Sequence, residues 1–166
     1  MSGSLDAWYS RRELESLAER DGTLSGELKL GKLTRLVGML NSDAGSVRAS
    51  LRFSQRRDGW LGADLDYQAS VELVCQRCLV PFRYDFAGRV SLVLADAESL
   101  PATVPEGHEP VEIEEGRVLP AQLIEDELIV SIPFAPKHAR LADCGSLARD
   151  LIGSTDGSAA PEAADR

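Results

Sequence analysis

Between Val47 and Leu94 apolar residues return at every second position in three long runs, and this period of two constrains the fold more than any other feature of the chain. Val47, Ala49, Leu51 and Phe53 alternate with Arg48, Ser50 and Arg52, and Leu65, Tyr67, Ala69, Val71 and Leu73 alternate with Asp66, Gln68, Ser70 and Glu72. In the third run Phe82, Tyr84, Phe86, Gly88, Val90, Leu92 and Leu94 alternate with Arg83, Asp85, Ala87, Arg89, Ser91 and Val93. Strand side chains point to opposite faces in turn, so each run reads as a strand with one face in a core and one in water. Arg57-Asp58-Gly59 supplies a turn between the first two, which predicts an antiparallel hairpin.

The flanking segments supply elements to cover the apolar face. Residues 8–20 read as a helix, with Leu14, Leu17 and Ala18 at helical spacing and Ser10 and Glu13 placed for a capping box. Thr23 to Leu30 alternates and is a fourth strand, and Lys32 to Leu40 puts Leu33, Leu36, Val37 and Leu40 on one helical stripe. From Asp96 to Glu115 the chain is acidic and interrupted by prolines, an exposed crossing with a short edge strand at Val111–Ile113. Leu119-Pro120 opens a helix whose apolar side is Leu123, Ile124, Leu128, Ile129 and Ile132. The expected architecture is α+β: a curved antiparallel sheet or partial barrel of about five strands with two or three packed helices. One domain is expected over residues 1–152, with a disordered tail over 153–166, where hydrophobic residues are sparse.

Cys75-Gln76-Arg77-Cys78 falls between the second and third runs, where a tight metal-binding corner is sterically natural. The third cysteine, Cys144, follows His138 by six residues, so Cys75, Cys78, Cys144 and His138 are four candidate ligands for a structural zinc. Three reduced thiols packed in the core are the competing reading. The strand flanks and Pro81 leave no helix to lower a thiol pKa, which argues against a thioredoxin-type redox pair.

Net charge is −9, and it is lopsided: residues 1–95 hold 13 Lys or Arg against 12 Asp or Glu, whereas residues 96–166 hold 5 against 15. A chain of this kind does not coat nucleic acid nonspecifically, since that binding relies on cations displacing phosphate counterions. Glu125, Asp126 and Glu127 project about 100° apart on a helix and cannot converge on one ion. With Glu112, Glu114 and Glu115 they form a candidate anionic surface for a partner protein with a basic face. Arg48, Arg52, Arg56, Arg57, Arg83 and Arg89 are the candidate contacts to RNA, against the plainer reading of a solvated sheet face. No membrane contact and a cytoplasmic location are expected from the absence of a leader or a long apolar run near the N-terminus.

The order of these motifs carries a resemblance. Cys75-Gln76-Arg77-Cys78 with Pro81-Phe82, then Glu109-Pro110-Val111-Glu112, then Ile124-Glu125-Asp126-Glu127-Leu128 leading to Ile132-Pro133-Phe134-Ala135-Pro136-Lys137-His138 and Cys144, resembles the YceD family of large ribosomal RNA subunit accumulation proteins. The resemblance implies a non-enzymatic ribosome-biogenesis factor supporting synthesis, processing or stability of 23S ribosomal RNA. It carries no catalytic residue, and none is assigned. The alternative is a metal-dependent RNA-processing or RNA-modifying enzyme using the cysteine and acidic sites.

Overall fold

The computed structural model describes residues 3–56, 60–100, 102–146 and 150. The Arg57-Asp58-Gly59 turn and the proposed tail over 153–166 lie outside the described residues. A two-residue strand, β1 (Tyr9–Ser10), leads into α1 (Arg11–Ala18), followed by β2 (Thr23–Lys29) and a single helical turn, α2 (Thr34–Val37). Three long strands come next, β3 (Ser46–Gln55), β4 (Leu61–Val74) and β5 (Pro81–Ala95). Then follow β6 (His108–Glu112), β7 (Arg117–Val118) and α3 (Pro120–Ser131).

The sheet has five strands in the order β2-β3-β4-β5-β6, and β1 pairs with β7 as a separate ribbon. Neighbours are antiparallel except the last pair: β6 runs parallel to β5, with Ser91 opposite His108 and Ala95 opposite Glu112. The fold is α+β with a five-stranded sheet that is not closed, as expected; the expected antiparallel pairing holds from β2 to β5, and the parallel β6 makes the sheet mixed. Residues 96–107 make the difference, because a crossing of that length can carry the chain back to start a strand beside Ser91, which a tight hairpin cannot do.

Register follows the alternation. Leu24 and Leu28 of β2, Val47 to Phe53 at every second residue of β3, and Leu61 to Leu73 at every second residue of β4 share the buried face. Helix α1 lays Leu14 and Ala18 against it, and Ser10 and Glu13 close the anticipated capping box, with the Ser10 N–H donating to Glu13 Oε2 at 2.7 Å. Helix α3 covers the middle of the sheet, where Tyr67 Oη and Ser131 Oγ are 2.7 Å apart. Gly88 lies opposite Tyr67 on β5 because a Cβ there would sit 2.5 Å from Tyr67 Cζ.

The helix expected over Lys32–Leu40 is shorter than its pattern. Leu33 sits at φ −94°, ψ 80°, outside helical space, so only Thr34–Val37 is regular. Its N-terminal amides are capped from another element: Glu125 of α3 accepts from the N–H groups of Arg35 at 2.7 Å and Leu36 at 3.1 Å. The expected edge strand exists but begins earlier, at His108, because Pro110 and Glu112 continue the ladder with β5.

Candidate metal centre

The corner joining β4 to β5 is tight. The Cys75 N–H donates to the Val80 carbonyl at 3.1 Å and the Leu79 N–H donates to the Cys75 carbonyl at 2.8 Å. Leu79 takes a left-handed φ of +59° to close it. After α3 the chain returns across this corner, where the Pro136 carbonyl accepts the Gln76 N–H at 2.8 Å. A 3-10 turn, Leu141–Asp143, then delivers Cys144. One ligand atom each from Cys75, Cys78, His138 and Cys144 lies within 4.8 Å of the others.

These spacings suit a tetrahedral ion. Metal–sulfur bonds of about 2.3 Å and a metal–nitrogen bond of about 2.0 Å place neighbouring sulfur and nitrogen about 3.5 Å apart. His138 Nδ1 stands 3.4 Å from Cys78 Sγ and 3.6 Å from Cys144 Sγ. Cys75 and Cys144 are buried, and the three cysteines are free thiols. Burial pushes the Cys75 thiol up, but the backbone N–H groups of His138, Arg77 and Cys78 outweigh it and draw the pKa down to about 5. Burial raises the Cys144 thiol, against the pull of Arg77. A site with three sulfurs, one imidazole and preformed N–H donors to sulfur is compatible with a structural zinc.

Two residues of the motif, Arg77 and Phe82, to which the sequence assigns no role of their own, organise this cluster. Arg77 Nε donates to Cys144 Sγ at 3.0 Å, and its Nη2 donates to the carbonyls of His138 at 3.2 Å and Arg140 at 3.1 Å. One guanidinium thus ties the two halves together and faces a sulfur. Phe82 packs on the His138 ring with centroids 4.8 Å apart, which fixes the imidazole plane. The signal for Arg77 was its place between two cysteines; nothing in the spacing pointed to Phe82.

The acidic residues separate into three environments. Glu112, Glu114, Glu115 and Asp126 line one groove of about 490 Å³ together with Trp8, Arg35 and Arg117. Arg117 stacks over the Trp8 ring at 4.6 Å and pairs with Glu115 at 2.9 Å. Glu127 is half-buried, and burial foremost, then Glu109 and Asp126, holds its carboxyl above the usual range. Glu125 points inward, 5% exposed, and is withdrawn from any anionic surface by its bonds to Arg35 and Leu36. Its position between Ile124 and Leu128 on the buried side of α3 explains this.

Register puts Arg48, Arg52, Arg83 and Arg89 on the open face of the sheet, interleaved with carboxylates. Arg52 reaches Asp64 at 3.7 Å, Arg83 reaches Asp85 at 2.8 Å, and Arg89 pairs with Asp66. The face is a mosaic of both signs and lacks the clustered cations that phosphate contact needs. Arg56 follows β3 with its Nε buried and unpartnered, and Arg57 lies outside the described residues.

Among the described residues no helix is long and apolar enough to cross a membrane. No solved structure matches the chain. The family described as large ribosomal RNA subunit accumulation protein YceD matches residues 63–162, from inside β4 through both halves of the ligand cluster and the helix between them. Because the matched stretch takes in the corner, the acidic helix and the returning segment that the fold brings together, the chain belongs to the YceD family.

Proposed function

We propose that this chain is a non-enzymatic factor that supports synthesis, processing or stability of the large-subunit ribosomal RNA, and that Cys75, Cys78, His138 and Cys144 hold a structural zinc. The observation that carries the first part is the family match across residues 63–162. The zinc reading rests on the 3.4 and 3.6 Å spacings between His138 Nδ1 and two sulfurs. Four protein ligands close a tetrahedron and leave no open position for substrate or water, which favours a structural metal over a metal-dependent RNA-processing enzyme. The metal pins residues 137–144 to the β4–β5 corner, and α3 lies between these two anchors.

The partner best suited to the chain is a ribosomal protein or assembly factor with a basic surface. Glu112, Glu114, Glu115 and Asp126 converge beside the half-exposed Trp8, a combination of carboxylates and an aromatic face that accommodates guanidinium groups. Depletion of the protein followed by sucrose-gradient sedimentation tests the function directly. A reduced large-subunit peak with diminished 23S ribosomal RNA is expected, and an unchanged large-subunit peak overturns the reading.

A further inference from the structure

Strand β5 spans Pro81–Ala95 and pairs with β4 along nearly its whole length, but β6 covers its other side only from Ser91 to Ala95. The edge of β5 from Pro81 to Val90 therefore has no partner strand among the described residues. Its polarity can be read from the ladder. The Ile113 N–H bonds to the Ala95 carbonyl on the β6 side, so odd-numbered residues of β5 direct their N–H and C=O groups away from β4. Arg83, Asp85, Ala87 and Arg89 thus present free main-chain donors and acceptors along an exposed edge.

Charged side chains on an open strand edge disfavour pairing where like charges meet and favour it where opposite charges meet. This edge carries Arg83 and Asp85, opposite signs two residues apart, whose side chains are 75% and 63% exposed. We propose that the β5 edge is a self-association surface that pairs antiparallel with β5 of a second copy about a two-fold axis at Tyr84. In that register each Arg83 stands opposite the Asp85 of the other copy, and each Phe82 stands opposite a Phe86. Residues 83 and 85 are the outward-bonding positions, so both charge pairs fall on hydrogen-bonded sites of the new ladder. The half-buried Phe82, Tyr84 and Phe86 gain cover from their counterparts. Shifting the axis to Phe86 sets Arg83 against Arg89, which disfavours that register. The existing Arg83–Asp85 contact within one chain is solvent-exposed and exchanges partners at little cost.

Sedimentation equilibrium of the full chain across a range of concentrations tests this surface. The wild type is expected to dimerise. Arg83→Glu places like charges opposite each other twice and is expected to weaken the dimer about tenfold or more. The double exchange Arg83→Glu with Asp85→Arg restores complementarity and is expected to restore the dimer. A wild type that stays monomeric, a dimer indifferent to Arg83→Glu, or a double exchange that fails to rescue each overturns the proposal, including the case in which the edge receives an extended segment of another protein.

Discussion

Glu125 is the one charged side chain buried among the described residues, and its surroundings explain why it is tolerated there. Each of its oxygens has a partner: the N–H groups of Arg35 and Leu36, and the Arg35 guanidinium at 3.1 Å. Replacing it with alanine orphans two amides at the start of α2 and removes the clasp between α2 and α3. Glu125→Ala is therefore expected to cost about 2 kcal/mol, a fall of roughly 4–8 °C in melting temperature for a chain of this size. Asp126→Ala, which loses only an exposed contact to Arg35 at 2.7 Å, is expected to shift melting far less. Differential scanning calorimetry of the two variants checks the contrast. The sequence shows three consecutive acids and the helical rotation that keeps them apart. That Glu125 turns inward was not read from them: the sequence sets it beside Asp126 and Glu127 on an anionic surface, and its bond to amides some ninety residues away has no local signal.

Each element of the metal centre is simple, and the centre depends on how they are joined. The alternation located the β4–β5 corner and its two cysteines, because a strand pair must turn somewhere between Leu73 and Phe82. Nothing local placed His138 and Cys144 there; that required α3 to cross the sheet and return the chain at the right end. Arg77 holds this return in position through two carbonyls and Cys144 Sγ. Arg77→Ala is expected to weaken zinc binding about 10- to 100-fold, the usual cost of removing a residue that orients metal ligands. Competition with a chromogenic chelator measures it. Arg77→Lys is expected to rescue little, because a single ammonium cannot reach three acceptors in a plane. Acid should release the metal, since thiolates must be deprotonated to bind. The N–H groups that draw the Cys75 thiol down to about 5 favour its thiolate at neutral pH, so release is expected only well below neutrality. Chelation at neutral pH is expected to raise amide exchange at the corner and over 137–144 while leaving the β3–β4 ladder protected.

At the scale of the whole molecule the sheet divides labour between its faces and ends. One face is sealed by α1 and α3; the other is a polar mosaic; the corner carries the candidate metal ligands; the β7–α3 end carries the acidic groove. The pairing of β4 with β3 and with β5 was legible from alternation and turn length, and so was an edge strand near Val111; the parallel direction of β6 was not, because its five residues include a proline and only two apolar side chains, Pro110 and Val111. This arrangement separates two ways of meeting a ribosomal precursor. If RNA met the sheet arginines, reversing Arg48 and Arg52 would release the chain from precursor particles. Arg52 already answers Asp64, and five carboxylates on that face, Glu27, Asp64, Asp66, Glu72 and Asp85, offset its arginines. The charge-reversed Arg48→Glu/Arg52→Glu chain is therefore expected to sediment with large-subunit precursors as the wild type does. Glu112→Lys/Glu114→Lys acts on a groove whose field is anionic, and it should strip the chain from those particles. Capture by the wild type should weaken steeply with salt, because exposed charge pairs are screened within about 8 Å at physiological ionic strength. Sedimentation of the two double variants at low and high salt decides between the faces: loss confined to the sheet variant assigns the contact to RNA, and loss confined to the groove variant assigns it to a basic protein.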